Sequence, residues 1–147
     1  PLEYEGRPSE SYTSEQIEFP GYEYRFMLGD ANGNFEYGVI ALGIETSAQA
    51  MGDYAAKLPE IEIKKPRSIL NKTTVTSMQA GLVYGYIGQS EYIIKQFKKE
   101  MGDMKVIATG GLGRVFEKEP GLIDEYDPDL AYKGMKAIFD MNTGEQK

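Results

Sequence analysis

Large apolar side chains recur at every second position over residues 17–28, as Tyr22, Tyr24, Phe26 and Leu28, and again at Phe35, Tyr37 and Val39. Asn32-Gly33 lies between the two runs and accepts the backbone angles of a tight turn, so the pattern predicts a β-hairpin. Thr46-Ser-Ala-Gln49 has the form of a capping box and predicts a helix to Leu58, closed by Pro59. Residues 60–64 alternate again, with Ile61 and Ile63 on one face, and predict a short strand ended by Pro66.

The longest periodic stretch opens after Thr73 and runs to Met101, with an apolar stripe of Val75, Met78, Leu82, Tyr86, Ile93 and Phe97. Lys95, Lys98 and Lys99 suit the negative C-terminal end of a helix, and Gly102 supplies the stop. Residues 105–109 read as a strand, Gly110-Gly111 as a turn and residues 112–117 as a short helix. A weak strand over residues 122–126 then leads to Asp127-Pro128, read as an N-cap with proline at the first helical position of a helix through Asn142. Residues 1–16, rich in Glu, Ser and Pro, read as a leader or linker, and the folded part as residues 17–147. The order of elements predicts a single mixed α/β layer with helices on at least one face.

Composition narrows the chemistry. The 147 residues carry 23 acidic against 16 basic side chains, a net charge of −7, which opposes long-range attraction to phosphate backbones and anionic lipid. Neither nucleic acid nor membrane is therefore an expected partner. No apolar run approaches the roughly 20 residues that cross a bilayer, and the expectation is a cytoplasmic protein. Cysteine and histidine are both absent, so any catalysis would run on carboxylates, hydroxyls, amines or backbone amides. Tryptophan is absent as well, and with a first residue of Pro1 the sequence reads as an engineered or truncated chain.

Three features could bind something. Gly110-Gly111 sits where a strand passes into a helix, which lets a ligand approach backbone amides at a positive helix end, although tight turns of this kind also need glycine for geometry alone. Neither a Walker A lysine nor GxGxxG spacing accompanies it. Lys72, Thr73, Thr74, Thr76 and Ser77 crowd polar groups at the start of the long helix, more than capping requires. That helix also contains Gly81, Gly85 and Gly88, each costing about 1 kcal/mol relative to alanine. Close packing could offset the cost in two ways: another helix of the same domain, or a symmetric subunit interface along Ser77, Gly81 and Gly85. Asp30, Asn32 and Asn34 resemble the start of a calcium loop but lack its glycine and its final glutamate, and read as a turn. The acids Asp124, Glu125, Asp127 and Asp129 read as caps and solvated charges.

Several segments resemble, in order, the C-terminal half of the type III pantothenate kinases. They are Gly38-Val-Ile-Ala-Leu-Gly-Ile44, Ala55-Ala-Lys-Leu-Pro59 with Glu60-Ile-Glu-Ile63, Lys72-Thr-Thr-Val75 with Ser77-Met-Gln-Ala-Gly81 and Tyr84-Gly85, Val106-Ile-Ala-Thr-Gly-Gly-Leu112, and Ile123-Asp with Asp127-Pro-Asp-Leu130. The resemblance extends over about 110 residues, from Asn34 to Asn142. It implies one lobe of the ribonuclease H-like, actin-like fold shared by acetate and sugar kinases, heat-shock ATPases and actin, a mixed sheet with packed helices. It also implies transfer of the ATP γ-phosphoryl group to pantothenate, the opening step of coenzyme A biosynthesis, with magnesium and a monovalent cation, potassium or ammonium. Some members are named Bvg accessory factors.

Carried over by position, Thr109, Gly110 and Gly111 match the nucleotide cleft, and Thr74 the threonine that reaches pantothenate from a neighbouring subunit. The resemblance also implies a homodimer through Ser77, Gly81 and Gly85. The family's phosphate loop and catalytic base, both in its N-terminal lobe, have no counterpart here, so a separate N-terminal kinase lobe is a candidate partner and no catalytic or metal-binding residue is assigned. The family's Asp-Phe-Gly-Thr motif falls on Phe19-Pro20-Gly21-Tyr22, where phenylalanine has no oxygen for a cation and the tyrosine hydroxyl lies too far out. The expectation is a kinase lobe inactive by itself. The alternatives are a non-catalytic dimerisation or regulatory module, and a redesigned scaffold derived from the same lobe.

Overall fold

The computed structural model describes residues 23–30, 34–54, 58–117, 119 and 121–144. The chain divides into two compact units, Pro1–Thr46 and Ser47–Lys147. The expected leader, the segment holding Phe19 and Tyr22, and the Asn32-Gly33 pair lie outside the described residues.

In the first unit, β1 (Glu23–Gly29) pairs antiparallel with β2 (Phe35–Leu42), as the period-two pattern predicts. The register runs from Glu23 opposite Leu42 to Gly29 opposite Phe35, with an irregularity after Leu28. Asp30 accepts hydrogen bonds from the Asn34 backbone N–H and side-chain amide, both at 2.8 Å, the local bonding of a turn. Helix α1 (Ile44–Tyr54) begins two residues before the predicted capping box. Thr46 is therefore inside the helix: Thr-x-x-Gln spacing also occurs within helices, and buried Ile44 anchors the first turn.

The second unit is organised around α2 (Thr74–Met101), the best-predicted element. Thr73 is its N-cap, its hydroxyl accepting the Thr76 N–H at 3.2 Å, and Gly102, at φ 90°, ends it with its N–H on the Lys98 carbonyl. Met78, Ala80, Leu82 and Val83 are the buried apolar residues of α2, and Phe116 and Leu122 add to the core. Val75, placed in the apolar stripe by spacing alone, is instead exposed in the first turn. Ser90 is buried on the same helix, and its hydroxyl has no hydrogen-bond partner among the described residues.

Residues 60–64 are not a strand. Ile61 and Ile63 are half-buried and Glu60, Glu62 and Lys64 exposed, as alternation requires, but no ladder partner meets them among the described residues. Side chains hold this segment to α2 instead: Gln79 donates to the Glu62 carbonyl at 2.9 Å, and the Tyr84 hydroxyl to the Pro66 carbonyl at 3.1 Å. The Lys65 ammonium stands 5.1 Å from the centre of the Tyr84 ring and also pairs with Glu119.

Beyond α2, β3 (Ile107–Ala108) pairs parallel with β4 (Glu125–Tyr126). Between them lie a 3-10 turn (Gly111–Gly113) and α3 (Arg114–Glu117). Both strands are shorter than predicted, and the architecture is mixed α/β, with two two-stranded sheets among the described residues where one mixed sheet was expected. The last helix, α4 (Leu130–Thr143), starts after Asp129, two residues later than predicted, and the Asp129 side chain makes no capping bond. The Asp127 carboxylate still makes the bond expected of the predicted cap, one oxygen accepting the Asp129 N–H at 3.0 Å, while the other accepts from the Lys133 ammonium at 2.7 Å. None of the α4 residues is buried, so this helix departs from the expected packed layer. No helix among the described residues is long and apolar enough to cross a membrane.

Candidate functional site

The turn after β3 is where local chemistry departs most from a plain connection. Gly110 has φ +86°, a region that side-chain-bearing residues rarely adopt, so glycine is required there by the backbone. Gly111 is different. Its φ is not in that region, and a Cβ built on it would meet nothing within 4 Å. The fold would accept alanine at Gly111, and the bare backbone is left facing open space. Thr109, the residue leaving β3, is exposed beside it.

Two residues that spacing did not single out shape this turn. Gly113 is buried, and a Cβ there would lie 2.6 Å from Cε2 of Tyr126. The Tyr126 hydroxyl donates to the Gly110 carbonyl at 2.9 Å, and the Gly113 N–H donates to the same oxygen at 3.0 Å. Tyr126 reaches it because β4 places Tyr126 opposite Ala108 in the ladder. No periodicity could signal this contact, which depends on the pairing of two strands of two residues each.

The neighbouring acids are structural. Asp124 accepts the Val106 N–H at 2.7 Å and Glu125 pairs with Lys105 at 2.5 Å. Among the described residues no group of three or more acidic side chains could hold a metal ion. The hydrogen bond from Lys133 holds the Asp127 carboxyl below its ordinary value of 3.8, burial opposing and the Asp129 N–H assisting. The same bond raises Lys133 above 10.5. A carboxyl depressed by folding stabilises the fold above its unfolded pKa, and that stabilisation is lost as pH falls through the lower folded value. In an acid titration followed by circular dichroism, Asp127→Asn should remove the component of instability that sets in below about pH 3.8. An acid profile identical to that of the parent would contradict the pairing.

Thr74 is the exposed first residue of α2. The neighbouring hydroxyls of Thr73 and Thr76 lie 2.7 Å apart and serve the cap. Farther along the helix, Ser77, Gly81 and Gly85 are brought together on one side of an open groove of about 460 Å³, with Ala80 and Tyr84 from the same helix and Ile69 and Asn71 opposite. A Cβ at Gly81, Gly85 or Gly88 would meet nothing within 4 Å. The reading in which another helix of the same domain packs on the glycines is therefore overturned among the described residues. Thr74 and residues 109–111 do not line this groove.

The family model described as Type III pantothenate kinase matches residues 25–96. A type III pantothenate kinase of Agathobacter rectalis is 58% identical over 112 residues, which are 75% of this chain and 43% of that protein. This chain belongs to the type III pantothenate kinase family. A relative of the same name from Bifidobacterium longum is 52% identical over 113 residues, 76% of this chain and 44% of its own length. Another, from Bifidobacterium longum subsp. infantis, is 46% identical over 119 residues, 80% of this chain and 47% of its own length. The chain thus spans about half the length of the curated type III pantothenate kinases it matches. A crystal structure of a Campylobacter jejuni protein described as of the Baf family is similar in fold, with a TM-score of 0.56 at 19% identity, over 84% of this chain and 56% of that one.

Proposed function

We propose that this chain is the C-terminal lobe of a type III pantothenate kinase, of actin-like fold, and supplies one wall of a site that phosphorylates pantothenate with ATP in coenzyme A biosynthesis, in the cytoplasm. Thr109, Gly110 and Gly111 face the nucleotide, and Thr74 reaches pantothenate bound mainly by a second subunit. The homodimer forms along Ser77, Gly81 and Gly85. The observation that carries the nucleotide assignment is Gly111, a glycine for which neither backbone angle nor crowding accounts. A turn that keeps a side chain away from an exposed backbone amide suits a phosphate or ribose oxygen as acceptor.

Phosphoryl transfer needs positive charge around the γ-phosphate and a base that orients the acceptor hydroxyl. Neither is assigned in this chain. The proposed partner is a separate N-terminal lobe that carries the phosphate loop and the catalytic base. By itself the chain binds but does not turn over. Titration of the 15N-labelled chain with Mg-ATP should shift the amide resonances of residues 109–112 with a dissociation constant of about 1 mM, or some 4 kcal/mol of binding. Gly111→Ala should abolish those shifts while the rest of the spectrum is retained. Absence of any shift in the parent would contradict the nucleotide turn, and micromolar affinity would contradict the half-site.

A further inference from the structure

Tyr126 touches the proposed nucleotide turn without belonging to it. Its hydroxyl donates to the Gly110 carbonyl at 2.9 Å, and its ring occupies the space that a Gly113 Cβ would need, with Cε2 at 2.6 Å and Cδ2 at 3.1 Å. The residue is fixed at its other end as well, since β4 pairs Tyr126 with Ala108 and the next N–H, from Asp127, bonds the Ala108 carbonyl at 2.8 Å. One residue therefore joins the strand that feeds the turn, through its backbone, to both ends of the turn, through its side chain.

The consequence follows from peptide geometry. In a trans peptide the C=O and the following N–H point in opposite directions across one plane. Fixing the Gly110 carbonyl toward the Tyr126 hydroxyl and the Gly113 N–H directs the Gly111 N–H to the opposite side of the peptide, and Gly111 is exposed. Gly110, at φ +86°, and Gly111 bear no side chain to fix that peptide plane, which is held by one bond from within the turn, the Gly113 N–H, and one from outside it, the Tyr126 hydroxyl.

We infer that Tyr126 is a positioning residue, which orients the Gly110-Gly111 peptide so that the Gly111 N–H is presented to a nucleotide oxygen. This rests on the nucleotide reading of the turn given above, and the test separates the two. Tyr126→Phe keeps the ring against Gly113 and removes only the hydroxyl. In the 15N-labelled chain, amide exchange of Gly113, whose N–H shares the Gly110 carbonyl, should accelerate about fivefold, the loss expected for one hydrogen bond. The dissociation constant read from Mg-ATP shifts at Gly111 should rise by about the same factor, with helical circular dichroism unchanged. Gly113→Ala, which retains the hydroxyl but displaces the ring, should reproduce both effects.

Exchange at Gly113 equal to that of the parent would overturn the contact itself. Faster exchange with unaltered ATP affinity would reduce Tyr126 to a purely structural residue and overturn the positioning role. If the parent turn does not respond to ATP at all, the nucleotide reading fails and this inference with it, while the exchange comparison still reports whether Tyr126 holds the turn.

Discussion

Gly85→Leu should convert the protein from a dimer of twice the 16.4 kDa chain mass to a monomer in light scattering, without loss of helix. The expectation comes from an imbalance within α2. Gly81, Gly85 and Gly88 together cost the helix roughly 3 kcal/mol relative to alanine. Among the described residues, nothing beyond the helix's own adjoining backbone lies within 4 Å of where their Cβ atoms would be, so no described neighbour offsets that cost. A second copy of α2 approaching along Ser77, Gly81 and Gly85 would offset it through backbone-to-backbone contact. A leucine at position 85 would project into the approach. Because leucine is the better helix former by about 1 kcal/mol, the variant's monomer should melt no lower than the parent's, which separates a lost interface from a damaged fold. A dimer mass unchanged by the substitution, or a parent that is monomeric, would contradict the interface.

Val83→Asp should leave the chain unfolded at room temperature. Val83 is 0% exposed, and a carboxylate there would be buried without a partner, at a cost of about 4 kcal/mol or more. A domain of ordinary stability has about 5–15 kcal/mol in all, and this one has few fully buried residues among those described. Val83→Ala, which only removes methyl groups, should cost about 2 kcal/mol. The control is Val75→Asp. Val75 is 41% exposed in the first turn of α2, where a negative charge faces the positive helix end, so this change should stay within about 0.5 kcal/mol of the parent. If the two aspartates have equal effects in urea titrations, the buried face of α2 is not the one described.

The contrast between those two valines marks how far the sequence could be read. Thr73 and Gly102 bound α2 by chemistry local to each end, and both were legible. Which residues of α2 are buried was only partly legible: Met78 and Leu82 lie in the predicted stripe, but Val83 is set by packing that spacing does not encode. Residues 60–64 alternate like a strand, yet a strand is defined by its ladder partner, which is remote in sequence, and here the partners are the side chains of Gln79 and Tyr84. Asp127 followed by proline has the chemistry of a cap and does accept the Asp129 N–H, but the helix starts later, at Leu130. The other carboxylate oxygen takes Lys133, the fourth residue of α4, a partner that the local pattern does not signal.

The candidate site divides the same way. Gly110 and Gly111 were visible as a strand-to-helix turn, and the structure distinguishes the glycine needed for its angle from the one left bare. Tyr126 and Gly113 were not visible, because their contact exists only once β3 and β4 pair. The glycine strip of α2 was visible as a cost, and of its two explanations the packing of a described helix of the same chain is the one the structure removes.

The most direct test measures pantothenate-dependent ADP release by the purified chain, alone and after addition of the separately produced N-terminal half of the Agathobacter rectalis relative. No turnover from the chain alone, and ATP-dependent formation of phosphopantothenate once the complement is added, is the result expected of a lobe that carries one wall of the site. Phosphopantothenate made by the unaided chain, or silence from the mixture of two folded halves that bind one another, would contradict it.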